Sequence, residues 1–131
     1  MVVIRRIHRG DRIHVSFSVP ERIVNTPHFT ALVWYELQGR SSLRLCLPAM
    51  AIPLERLPRD SLLQVFRMEY VLPEALDTGV YTFGVAIITI AEMNRLIGLT
   101  SHARLAEFAR IVGVADRPRA NITDPTFEVL S

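Results

Sequence analysis

The sequence contains no lysine, a single cysteine and no long apolar run. With only Cys46, an internal disulfide is excluded and a reducing compartment is favoured. No segment approaches the roughly 18 consecutive apolar residues of a transmembrane helix. The first residues, MVVIRRIHRGD, reach arginine too early to form the apolar core of a signal peptide. We therefore expect a location in the cytoplasm or in a virion, with no transmembrane segment and no secretion through a signal peptide in this chain.

Chemistry-bearing motifs are also missing. The four histidines are scattered, and none has the spacing of a helical or zinc-finger metal-ligand pair. There is no glycine-rich phosphate loop, no nucleophile elbow and no dinucleotide-binding fingerprint. Cys46 lies in an alternating segment, where a thiol is more often packed and inert than nucleophilic. The sequence thus predicts a protein that is not an enzyme and binds no metal and no cofactor.

Positive charge is carried by arginine alone, with all 15 basic residues being arginine and a net charge of +2. GC-rich coding accounts for this usage, and recognition of phosphate or carboxylate by bidentate guanidinium groups is the functional alternative. Four of the arginines crowd the N-terminal region against a single carboxylate, Asp11: Arg5, Arg6, Arg9 and Arg12. Such an arm predicts contact with nucleic acid, acidic lipid or another acidic surface, although the lack of interleaved aromatics disfavours nucleic acid.

What is present is mostly a strand pattern. Half the residues are hydrophobic, and Ile13, Val15, Phe17 and Val19 alternate with polar residues, as in a strand with one buried face. Residues 29–37 are apolar on both faces, which is typical of a central strand covered on both sides. Further strands are predicted at these positions: 2–7, 43–47, 62–71, 81–87 and 126–130. The proline-rich stretch between the fourth and fifth of the seven predicted strands is interpreted as an irregular connection.

Helical patterns interrupt the strands at about residues 90–113. Thr89 and Glu92 have the spacing of a capping box, and Gly98 is a candidate end for that helix. A second helix is predicted with Ser101 as its cap and Gly113 at its C-terminal end, and its apolar stripe is formed by Leu105, Phe108, Ala109 and Val112. We expect the two stripes to close one end of the sheet assembly. A docking face for a partner is the alternative.

The stretch DTGVYTFGV contains Asp77, Gly79 and Tyr81 at a spacing of two. This spacing resembles the tyrosine corner of immunoglobulin-like and fibronectin-type-III-like sandwiches of bacterial or phage type. The resemblance implies that Tyr81 opens the sixth strand and that its hydroxyl bonds to the backbone of the preceding turn. In that family a cysteine follows the tyrosine by two residues. Phe83 stands there instead, which implies an apolar cluster in place of the disulfide, drawing on Phe17 or Val19 and on Trp34.

The sequence therefore predicts one domain over residues 1–131 that is mainly β. Its expected fold is an antiparallel β-sandwich of about seven strands, immunoglobulin-like or jelly-roll-like, with two short α-helices before the last strand. The expected function is non-catalytic: a structural or assembly subunit of a virus or phage particle, acting through protein contacts and forming homo-oligomers. One alternative is a matrix-like protein that binds RNA or acidic membrane through the N-terminal arginines. Another is a carbohydrate-binding module that presents Trp34 to a sugar.

Overall fold

Two β-sheets and three α-helices make up the part of the chain that the structure, a computed structural model, describes. That part is residues 4–24, 26–40, 42–60, 65–114, 117–118 and 120–131. Its strands are β1 (Arg5–His8), β2 (Arg12–Ser18), β3 (Phe29–Leu37), β4 (Ser42–Cys46), β5 (Arg59–Asp60), β6 (Val65–Val71), β7 (Gly79–Thr89), β8 (Asn121–Thr123) and β9 (Thr126–Leu130). The helices are α1 (Glu21–Val24), α2 (Ile90–Gly98) and α3 (Ser101–Val112), with a 3₁₀ turn at Leu54–Arg56. The prediction of a mainly β fold is confirmed.

The described strands number nine, so the expected count of about seven is wrong. The two additional strands are β5 and β8, which hold two and three residues. Strands this short hold too few residues for an alternating pattern to be recognised. β5 pairs with β6, and β8 pairs with β2. Two predicted strands, 2–7 and 62–71, begin with residues that fall outside the described part of the chain, namely residues 2, 3 and 62–64.

The strands divide into a five-stranded sheet, in the order β1-β9-β7-β3-β4, and a four-stranded sheet, in the order β5-β6-β2-β8. Their ladders are antiparallel except for β1, which runs parallel to β9. The longest ladder joins β3 to β7 and runs from Phe29↔Thr89 to Leu37↔Tyr81. The fold is therefore sandwich-like, with an antiparallel framework and one parallel edge.

The core between the two sheets follows from the alternation of side chains. Ile13, Val15 and Phe17 of β2 are all at most 2% exposed, and Val15 shares a core cluster with Tyr35 and Phe83 of the other sheet. Because successive side chains of a strand point to opposite faces, each strand gives every second residue to this core. Burial of these apolar side chains is the main force that holds the two sheets together.

The helices α2 and α3 cover the outer face of the five-stranded sheet. Leu32 of β3 and Ile88 of β7 belong to one fully buried cluster with Met93 and Leu96 of α2 and Phe108 of α3. The expectation that the helices close one end of the sandwich is therefore wrong. β3 alternates Leu32 on the helix side with Val33 on the sheet side, which is why it is apolar on both faces, as predicted.

The boundaries of α2 are set by local chemistry. The Thr89 side chain accepts from Glu92 N at 3.1 Å, while Glu92 Oε1 accepts from Thr89 N at 3.0 Å. This is the predicted capping box, and it satisfies two backbone donors at the start of the helix. The prediction that Ser101 caps α3 is wrong, because Ser101 is the first residue of the helix and Thr100 is the N-cap.

The predicted apolar stripe of α3 is wrong in part. Phe108 is buried as expected, but its buried companion is Ile111. Leu105 is 53% exposed and Val112 is 38% exposed, and Ala109 is also exposed. The apolar residues of α3 are spread over two overlapping faces of the helix, and only one of these faces contacts the sheet. Residues 105, 109 and 112 lie on the other face, beside the buried stripe. An apolar flank of α3 consequently faces solvent.

Candidate functional site

Two of the four N-terminal arginines bind backbone carbonyls. Arg5 donates from Nη1 to His14 O at 2.6 Å and from Nη2 to Asp124 O at 2.8 Å. Arg9 donates from Nε to Leu76 O at 2.5 Å. Both guanidinium groups therefore join segments that are distant in sequence. Each uses some of its N–H donors in hydrogen bonds within the fold.

The other two arginines face carboxylates across neighbouring strands. Arg6 Nε lies 3.4 Å from Glu128 Oε1 in the five-stranded sheet, and Arg12 Nη1 lies 3.9 Å from Glu69 Oε2 in the four-stranded sheet. Because these pairs are largely exposed, each adds little to stability. The two pairs also belong to different sheets. The structure does not gather the four arginines into one cationic arm.

The predicted corner residues form a tight turn with one specific hydrogen bond. The Tyr81 hydroxyl donates to the Asp77 carbonyl oxygen at 2.7 Å. Gly79 has a φ of +142°, and a Cβ at that position would lie 2.7 Å from Leu37 Cδ1, so a side chain is excluded there. Burial, followed by the proximity of Asp77, raises the pKa of Tyr81 and keeps its hydroxyl protonated as a donor. These residues anchor the fold.

Trp34 lies on the helix side of the sheet. Its ring meets Phe108 of α3 edge-on, with centroids 4.9 Å apart. Its cross-strand neighbour is Gly84, where a Cβ would stand 2.2 Å from Trp34 Cε2. The indole also lines a small cavity of about 250 Å³. Arg117 is the one charged residue among the described lining residues, and it binds both carboxylate oxygens of Glu92. The candidate sugar-facing aromatic is thus held between the sheet and α3.

The apolar cluster around Phe83 does not contain Trp34, contrary to the sequence-based expectation. Phe83 packs against Tyr35, with centroids 5.8 Å apart, and against Phe127 at 5.0 Å. Tyr35 is the residue opposite Phe83 in the ladder, whereas Trp34 is opposite Gly84. Opposite residues share a face of the sheet, so the one-residue offset places Trp34 on the other side.

An open groove of about 610 Å³ lies along β4, the edge strand of the five-stranded sheet. Its floor comes from β3 and β4, one wall from the end of β6, and the other wall from the first turns of α3. The lining residues are Tyr35, Leu43, Arg44, Leu45, Cys46, Leu47, Tyr70, Val71, Pro73, Ser101, Arg104 and Leu105. We call this feature the β4 groove.

The walls of the β4 groove expose apolar side chains to solvent. Val71 at the end of β6 is 62% exposed and Leu105 of α3 is 53% exposed. Burial raises the pKa of the Cys46 thiol to about 12, so the thiol is not a nucleophile at neutral pH. Burial, followed by the proximity of Cys46, also raises the pKa of Tyr70. The groove therefore offers contact area and weak hydrogen-bonding groups rather than reactive ones.

The charge of the β4 groove is positive. Arg44 is opposite Tyr35 in the ladder, so it lies on the side of β4 that faces the other sheet, and it is exposed. None of the described carboxylates lies within ion-pair distance of Arg44. Arg104 donates to Leu96 O at 2.9 Å and to Ile97 O at 2.8 Å, which fixes its guanidinium group at the end of α2. None of the described residues that line the groove is acidic.

Three residues of this groove were not singled out as contact residues by the sequence: Arg44, Val71 and Leu105. Arg44 and Val71 occupy the polar positions of alternating segments, and Leu105 falls in the helical stripe that is predicted to be buried. Val71 did carry a signal, because an apolar residue in the polar phase of a strand is a candidate contact residue. Whether Arg44, Val71 and Leu105 come together depends on which strand lies at the edge of the sheet and on where α3 packs.

No protein-family model, curated protein or solved structure matches this chain. Within the described residues, no group of three or more histidine, cysteine, aspartate or glutamate side chains could hold a metal ion. None of the described helices has the length and apolar character needed to span a membrane. The β4 groove is consequently the candidate site on which a function can be argued.

Proposed function

We propose that this protein is a non-catalytic contact module with an immunoglobulin-like topology, and that it acts in a structural or assembly role, as in a virus or phage particle. The observation that carries the proposal is the open β4 edge, whose backbone groups lie between two walls with exposed apolar side chains. Peptide recognition at a sheet edge uses this combination of main-chain hydrogen bonds and flanking side-chain contacts.

The immunoglobulin-like assignment rests on strand order. In that fold the second and fifth strands are neighbours in one sheet, while the third, sixth and seventh share the other. Here β2 pairs with β6 in one sheet, and β3, β7 and β9 are neighbours in the other. β7 also begins with the corner in which Tyr81 binds Asp77 O. The helices α2 and α3 between β7 and β9, and the cluster around Phe83, are departures from the family pattern.

The choice of the β4 edge over the other sheet edges rests on length and surroundings. Of the described edge strands, β5 has two residues and β8 has three, which is too short to add a partner strand of useful length. β1 has four residues, one fewer than β4, and its Arg6 forms an ion pair with Glu128 of the neighbouring strand β9. β4 has five residues, and exposed apolar side chains flank it on both sides.

Site-specific photo-crosslinking tests the proposal. A photoreactive amino acid in place of Leu105 lies on the groove wall, whereas one in place of Met50 is exposed to 67% but lies outside the groove. In cells that make the protein, we expect discrete protein adducts from the Leu105 position and none from the Met50 position. Adducts that contain only the chain itself would identify self-association, which light scattering then checks. Equal labelling at the two positions, or none at either, contradicts the proposal.

A further inference from the structure

We infer that the β4 groove binds an extended acidic segment of another protein, which adds to the sheet as a sixth strand with a carboxylate facing Arg44. This inference rests on the proposed function and specifies the partner of the same site. Three observations support it: the open edge, the two-walled shape of the groove and the sign of its charge.

The open edge supplies the main-chain part of the interaction. Among the residues that the structure describes, β4 is hydrogen-bonded to β3 on one side only and is the last strand of its sheet. In an edge strand, alternate residues direct their N–H and C=O groups away from the sheet, where a second strand can pair with them. These bonds require an extended segment and do not depend on its side chains.

The two walls supply side-chain recognition. Side chains of an added strand would alternate between the side of Val71 and Tyr70 and the side of Leu105. Leu43 and Leu45 of β4 belong to the cluster under the helices, so they accompany Leu105 on its side. Apolar partner side chains fit this helix side, because they would cover leucine surfaces that α3 leaves partly open.

On the side of the groove that carries Val71 and Tyr70, the charge of Arg44 determines which partner side chains are favoured. Arg44 lies on the side of β4 that carries Val71 and Tyr70, and it has no ion-pair partner among the described carboxylates. The residue directly opposite Arg44 on an added strand would have its Cβ within about 5.5 Å, on the same face. A glutamate or aspartate there pairs with the guanidinium group, and a lysine or arginine is repelled. The favoured segment therefore alternates acidic and apolar residues.

A second copy of the chain is a poorer occupant. Antiparallel pairing of the whole of β4 with itself is centred on Arg44, the middle residue of Ser42–Cys46. In that register the two Arg44 side chains lie opposite each other, which is unfavourable for like charges. Inward-pointing charges on edge strands are a known means of preventing such self-pairing. Arg44 thus discourages self-association and selects for an acidic partner.

Peptide titration followed by NMR tests the inference. The probes are three short capped peptides in which valine alternates with glutamate, glutamine or lysine. With isotope-labelled protein, we expect the glutamate peptide to shift the backbone amides of β4. Its affinity should exceed that of the glutamine peptide, and the lysine peptide should not bind. Arg44→Glu should weaken the glutamate peptide at least about tenfold and should confer binding on the lysine peptide, since the sign of the pair is reversed. Arg22→Glu changes an exposed arginine outside the groove, so it should leave the binding of both the glutamate and the lysine peptide unchanged.

The outcomes separate this inference from the proposed function. Equal binding of all three peptides, or an unchanged response in Arg44→Glu, overturns the acidic partner. If no peptide binds while the Leu105 crosslink still captures a partner protein, strand addition is wrong and the contact function stands. A crosslink made only to the chain itself also overturns the inference. Thermal unfolding of each variant checks that a lost response reflects binding, because substitution of an exposed arginine should leave the fold intact.

Discussion

The indole of Trp34 lies directly against the backbone of Gly84, its partner across the β3–β7 ladder. A Cβ at Gly84 would stand 2.2 Å from Trp34 Cε2 and 2.3 Å from Cζ2. On the helix side, Phe108 of α3 contacts the indole edge-on. Because Gly84 has no side chain, the Trp34 indole can lie against β7, where it also contacts Phe108 of α3.

Gly84→Ala should destabilise the protein by about 2 kcal/mol or more, because a methyl group there forces Trp34 against α3. Denaturant unfolding followed by circular dichroism measures this loss. Gly98→Ala is the matched control, since a Cβ at Gly98 meets nothing within 4 Å. That change should be neutral or slightly stabilising. Similar losses from the two substitutions would contradict the assigned contact.

Tyr81→Phe should lower the free energy of unfolding by about 1 kcal/mol. The substitution removes the hydroxyl that donates to Asp77 O and leaves the stacked contact with Phe127 in place. Tyr35→Phe, in the same aromatic cluster, is the control, because the Tyr35 hydroxyl has no hydrogen-bond partner among the described residues. We expect the Tyr35 variant to lose less stability than the Tyr81 variant, and the reverse order would count against the corner.

Phe108→Ala should cost about 3–5 kcal/mol, since it removes a buried ring from the layer beneath the helices. Leu105→Ala should change stability by no more than about 0.5 kcal/mol, because that side chain is mainly exposed. Thermal unfolding of the two variants distinguishes the buried stripe of α3 from its apolar flank. A large loss from the Leu105 variant would show that the helix docks through the other face.

The Glu92–Arg117 ion pair should make stability depend on pH in the acid range. Burial alone would raise the pKa of Glu92, but hydrogen bonds from Arg117 and from Thr89 outweigh it and lower the pKa. A lowered pKa in the folded state adds stability above the usual glutamate value of about 4.3, and this stability is lost as the pH falls through the folded value. Glu92→Gln should therefore cost about 1–3 kcal/mol at pH 7 and less in acid. Glu69→Gln, in the exposed pair with Arg12, should cost little at either pH.

The Cys46 thiol should react slowly with a disulfide reagent in the native state at pH 8. Its pKa is raised to about 12 by burial, so the thiolate fraction is small. Denaturant should restore the rate of an ordinary cysteine, and stopped-flow absorbance measures the two rates. Rapid labelling of the folded protein would contradict the burial of the thiol in the groove.

The sequence predicts a feature well where local periodicity and neighbouring residues determine it. Residues 29–37 form β3 with the predicted bounds because apolar residues on both faces match a strand with two covered sides. The Thr89 capping box depends on residues three apart, so it too could be predicted. The side on which Trp34 lies could not, since alternation groups residues by face without saying which layer covers each face. The same limit applies to Arg44 and Leu105, whose proximity depends on sheet order and helix docking.

The parallel pairing of β1 with β9 has a mechanical consequence. Arg5 is beside Phe127 and His8 is beside Leu130, so the chain enters β1 at one end of the ladder and leaves β9 at the other. Tension applied through residue 4 and residue 131 would pull these strands lengthwise past each other. The bonds of the ladder would then share the load and break together, whereas a hairpin pulled at its open end gives way one bond at a time. Pulling on single molecules through these two positions should therefore require a higher force than pulling across the β3–β4 hairpin. A subunit placed under tension along this axis would resist extension through its first and last described strands.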